Sequence, residues 1–171
     1  MNLLVSLATA ALLLTAQHPT MPKGMSHEEH LKQIEKDEAL KKRRVDAMGF
    51  DQDATTHHFK LGSIGGSIEV TVKDQSDATV VAAVRDHLRS IAGEFAQGMF
   101  GKPFATHGEV PPGVPAMQQN ARAISYRYED MPGGGAVRIE TADTLTLKAV
   151  HEFLRYQITE HRTGDPVETE R

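Results

Sequence analysis

The chain has 171 residues, 39% of them hydrophobic and 25% charged, with a net charge of -4 and no cysteine. That length suits one globular domain with a packed core and some extra chain. The charge argues against a protein that works on phosphate backbones, so no nucleic-acid partner is expected, and the missing thiols exclude disulfides, cysteine nucleophiles and thiolate metal ligands.

Leu3 to Ala16 is an apolar run without a charge, too short to span a bilayer and followed by polar Gln17-His18-Pro19. It predicts a secretory signal over residues 1–16 and a periplasmic or secreted mature chain with no membrane span; a buried or membrane-associated N-terminal helix is the alternative. His18 to Met25, with two prolines and a glycine, reads as a linker. Ser26 and Glu29 then have the spacing of a capping box, which predicts a helix from His27 to about Met48 stopped by Gly49. Its apolar positions Leu31, Ile34, Leu40 and Val45 make a thin stripe, and the basic run Lys41 to Arg44 follows Glu35, Asp37 and Glu38. Linker and helix, residues 17–49, therefore read as a charged, solvated segment docked loosely or not at all.

Residues 50–163 carry an internal repeat. Gly65-Gly66-Ser67-Ile68-Glu69-Val70 returns as Gly134-Gly135-Ala136-Val137-Arg138-Ile139, and a helix around Val84 to Ile91 returns around Val150 to Ile158. The match pairs Val84 with Val150, Leu88 with Leu154 and Arg89 with Arg155. Each glycine pair lies between two runs that alternate apolar and polar residues, so each unit reads as a hairpin followed by a helix. Alternation turns His57, Phe59, Leu61, Ile68, Val70 and Val72 inward in the first hairpin, and Ile124, Tyr126, Tyr128, Val137 and Ile139 in the second. His57 and Tyr126 occupy equivalent positions. The helical stripes are Val80, Val81, Val84, Leu88, Ile91 and Phe95 in the first unit and Leu147, Val150, Leu154 and Ile158 in the second.

The expected fold class is α+β: an internally duplicated ββα-ββα unit, with a four-stranded antiparallel sheet and two helices on one face. The other face would show Lys60, Glu69, Thr71, Ser125, Arg127, Arg138 and Glu140. Between the repeats, Gly98 to Gln119 holds Gly101, Pro103, Pro111, Pro112 and Pro115, which predicts a long loop; the polar tail, residues 164–171, should fray.

Nine histidines in such a chain are the main chemical signal. His18, His27 and His30 accompany Met21 and Met25 near the N-terminus, and Met25, His27 and His30 form a candidate accessory site in which thioether and imidazole together suit copper. In the domain, His161 falls in the middle of the apolar stripe of its helix, where the first repeat has Phe95, while His87 and His151 lie on the flanks. A buried imidazole without a partner costs on the order of 1–3 kcal/mol, and inward-facing His57 poses the same problem. Sharing a metal ion would satisfy His57 and His161 together, with a third ligand from His87, His107, His151, Asp51 or Asp53; separate bonds to carbonyls, tyrosines or acids are the plainer solution. Adjacent His57 and His58 point to opposite faces and cannot easily share an ion.

Other catalytic signals are weak. No Gly-x-Ser-x-Gly turn is present, and Met131 to Gly135 joins two strands and lacks the Lys-Ser/Thr of a phosphate loop. The favoured reading is an exported protein that binds copper before zinc, in metal handling or a simple redox role, with no reaction specified. The runner-up is a non-catalytic interaction or dimerisation module that uses the open sheet face, with a homodimer as one form.

Overall fold

A computed structural model describes residues 24–169. The expected signal segment, His18 and Met21 lie outside the described residues. The chain divides into two compact units, one ending at Glu35 and one starting at Lys36. In the first, the Ser26 backbone N–H donates to Glu29 Oε2 at 2.9 Å and the Glu29 N–H donates to Ser26 Oγ at 3.2 Å. This is the expected reciprocal cap, and helix α1 runs His27–Met48 from it.

In the second unit α1 stops at Gly49, which adopts φ +80° and whose N–H reaches Val45 O at 2.8 Å. Met48 and Phe50 on either side of it are buried. Four strands follow in two hairpins: β1 (Thr55–Gly62) with β2 (Gly65–Val72), and β3 (Ile124–Met131) with β4 (Gly134–Thr141). All pairings are antiparallel and the spatial order is β1-β2-β4-β3, so the two hairpins join through β2 and β4, with Ile68 opposite Val137. The repeated glycines have their reason at this seam. A Cβ on Gly65 would lie 1.8 Å from Ile139 O, and one on Gly134 would lie 2.0 Å from Val70 O.

Helices α2 (Ala78–Ala96) and α5 (Thr144–His161) are capped by Asp77 and Asp143, whose side chains accept first-turn N–H groups. Val84, Leu88, Ile91 and Phe95 of α2 and Val150, Leu154 and Ile158 of α5 are buried, as their periodicity predicts. Each helix packs chiefly on the other hairpin: α2 on β3 and β4, α5 on β1 and β2. The architecture is α+β, with a four-stranded antiparallel sheet and several helices.

The stretch expected to be a long loop contains two helices, α3 (Gly101–His107) and α4 (Val114–Gln119). Two of its four prolines sit at helix starts, while Pro111 and Pro112 lie between the helices. Pro103 and Pro115 both fall in the first turn, where an N–H has no intrahelical acceptor and its absence is harmless. The start of α4 presses on α5 so closely that a Cβ on Gly113 would lie 2.1 Å from Ala149 O. This contact layer explains why Phe100, Val114, Met117, Ala149 and Phe153, outside both predicted stripes, are buried.

The tail is also held. Asp165 accepts from Phe59 N at 2.9 Å and pairs with His58 Nδ1 at 2.8 Å, which occupies the outer edge of β1; the Val167 carbonyl accepts from Arg155 Nε at 2.8 Å. Burial works to raise the Asp165 pKa, but the donors Thr163, Phe59 and His58 leave it below the ordinary range. On the polar sheet face, Lys60, Glu69, Arg138, Glu129 and Arg127 form a ladder of alternating charge across the strands. Among the described residues no helix is long and apolar enough to cross a membrane.

Candidate functional site

Four of the domain's histidines gather at one end of the core, delivered by four elements. Strand alternation turns His57 of β1 inward, and His161 is the last residue of α5, which closes with left-handed Arg162. Their rings stack with centroids 5.5 Å apart and planes at 28°. His107, the last residue of α3, meets His161 edge to face at 5.3 Å. His87 of α2 is separated from His57 by Phe50, which it meets edge-on at 5.6 Å and which stacks on His57 at 6.3 Å.

A cavity of about 60 Å³ lies beside three of these rings, with Met48, His87, Lys102, His107, Gln157 and His161 in its wall; His57 is not part of that wall and reaches it through its stack on His161. One water-sized probe needs only about 10–15 Å³, so the space holds an ion or a few small atoms and no organic substrate of ordinary size. His161 also lines an open groove of about 430 Å³ with Asp37, Lys41, Gln52, Asp53 and Glu160. His161 is the residue common to both linings.

Protonation favours ligation at His87. Burial, aided by the charge of Lys102 and opposed by Glu94, pushes its pKa down to about 4, so its imidazole is neutral near pH 7. Lys102 is itself held by Glu94 and by Ser90 Oγ, the latter at 2.8 Å. His107 Nε2 lies 3.0 Å from Gln157 Oε1; an amide oxygen only accepts, so that nitrogen carries the proton and Nδ1 the lone pair.

The remaining candidates lie elsewhere. His151 is buried, but its Nε2 lies 3.0 Å from both the Gly62 and Gly65 carbonyls, so it donates to the first hairpin turn. His58 points outward to Asp165. Asp51 caps a short 3-10 turn through the Asp53 N–H at 2.9 Å, and Asp53 pairs with Lys41 at 2.5 Å. Met25, His27 and His30 belong to the first unit, where His27 is exposed and Met25 and His30 are half-buried at the helix start.

Among the described residues no three His, Cys, Asp or Glu side chains stand already arranged around one ion. The domain rings meet by faces and edges, so a shared ion requires them to turn about their side-chain torsions. Sequence reasoning missed Met48, Lys102 and Gln157. Gln157 carried a signal, because it lies one helical turn before His161 in a buried stripe and is 4% exposed. No protein family, curated protein or solved structure matches the chain.

Proposed function

We propose that this is an exported metal-handling protein that binds one transition-metal ion, copper before zinc, through His57, His161 and His107, with His87 on the same cavity. The observation that carries the reading is the convergence of three imidazoles from β1, α5 and α3 at centroid separations of 5.5 and 5.3 Å. Metal–nitrogen bonds of about 2.0–2.1 Å at a tetrahedral angle set two rings about 5 Å apart, so the ring positions need rotation and little translation. Imidazole suits both metals, and the thioether chemistry of Met25 with His27 and His30, as an accessory site, inclines the choice to copper. The apolar run Leu3 to Ala16 supports export to the periplasm or beyond. Storage, delivery or a simple redox role all fit a cavity too small for an organic substrate.

The scaffold under this site is read as a duplicated ββα unit with α2 and α5 on one sheet face. Equivalent hairpin bonds support it: Val72 N donates to Gly133 O, and Thr141 N to Ile64 O, each at 2.9 Å. So do the aspartate caps of both helices. The test is calorimetry on metal-free protein. Uptake of about one equivalent of Cu by the domain site, abolished by His57→Ala, is the expected result. Uptake unaffected by that change overturns the assignment.

A further inference from the structure

Resting on that reading of the site, we infer that Met48 is a fourth ligand and that its thioether makes the domain site a Cu(I) site. Met48 ends α1, where Gly49 turns the chain, and its side chain is buried at 7% exposure. It stands in the wall of the cavity that His87, His107 and His161 also line, so α1, α2, α3 and α5 each bring one possible donor to the same space. That space, about 60 Å³, suits a single ion and its first coordination sphere. The rest of the wall is mostly apolar, with Phe59, Ile68, Val70, Leu88 and Phe95, and its other polar members are Lys102, Thr106 and Gln157, none of them a carboxylate. A soft thioether among imidazoles favours Cu(I), whereas Zn(II) gains little from methionine sulfur. The position gives a reason for a methionine: leucine would fill a similar volume in this core, but only methionine adds a donor atom.

Met48→Leu, made in a full-length chain that already carries Met25→Leu so that the accessory thioether is absent, separates the two roles. Cu(I) affinity is measured under anaerobic reducing conditions by competition with a chromogenic chelator, Zn(II) affinity by a parallel competition, and sulfur ligation by X-ray absorption at the copper edge. The expected result is a loss of Cu(I) affinity of about tenfold or more in Met48→Leu, with Zn(II) affinity changed by less than about twofold. A copper–sulfur shell should be present in the Met25→Leu parent and absent once Met48→Leu is added. Equal Cu(I) affinity in both proteins, or a wild-type spectrum of nitrogen ligands alone, overturns the role of Met48 while leaving a histidine site standing. Binding of neither ion by the wild-type domain overturns both readings together. Should Met48→Leu fold poorly, the spectrum of the Met25→Leu parent, which lacks the accessory thioether, decides.

Discussion

Two ring contacts between sheet and helix involve positions that the proposed repeat would pair. At one, Tyr126 of β3 meets Phe95 of α2 edge to face at 5.7 Å; at the other, His57 of β1 meets His161 of α5 at 5.5 Å. The first is ordinary core. Phe95 is 1% exposed and also packs on Phe100 and Phe153 at 4.2 and 5.9 Å. The second puts imidazoles in place of those rings, stacks them at 28° where the first pair meets at 80°, and adds His107; Phe95 and His161 both line the cavity. A stability requirement alone would be met by aromatics at both ends, so the departure at the histidine end calls for a chemical reason.

The contrast is sharpest in the cost of truncation. Phe95→Ala should lower stability by about 3–5 kcal/mol in chemical denaturation, because it leaves a cavity in a packed cluster. His161→Ala should cost the metal-free protein only about 1–2 kcal/mol, since that ring is half-buried and also borders the groove. Equal losses would mean that the histidine end is a core like any other.

Acid should separate the two ends next. His87 has a folded pKa of about 4, below its ordinary value of 6.5, so the unfolded chain binds more protons between those values. Its contribution is therefore full above pH 6.5 and falls as pH drops toward 4, by about 2–3 kcal/mol at most. Denaturation of metal-free wild type and His87→Phe across this range checks it, and the variant should show the flatter pH profile. The smallest effect belongs to the aromatic end. The Tyr126 hydroxyl is buried without a hydrogen-bond partner, and burial raises its pKa well above the usual tyrosine value. Tyr126→Phe should leave stability unchanged or raise it by up to about 1 kcal/mol, measured by thermal unfolding.

Local chemistry was legible in the residues. The Ser26–Glu29 cap and Gly49 mark both ends of α1, and period-two alternation places His57 inward and His58 outward. The helical wheel puts His161 where Phe95 stands in the other half. What depended on distant contacts was not legible. Pro103 and Pro115 look like breakers until the chain direction shows that both open a helix, and with α3 hidden, His107 had no fixed place beside His161. The β2–β4 seam, which needs Gly65 and Gly134 for close approach, reads in one dimension only as turn glycine. Asp165 looks like any acid of a polar tail until β1 supplies the Phe59 N–H and His58. His151 illustrates the limit from the other side: it shares composition with the cluster, yet two turn carbonyls claim its proton.

The most direct test converts one end into the other. Wild type and the double variant His57→Tyr, His161→Phe, both purified without an affinity tag, are compared by elemental analysis after loading with copper and removal of excess. The expected result is a folded variant that retains one equivalent of metal fewer per chain than the wild type. Identical metal content in the two proteins, or none in the wild type, would contradict a shared ion at the imidazole pair.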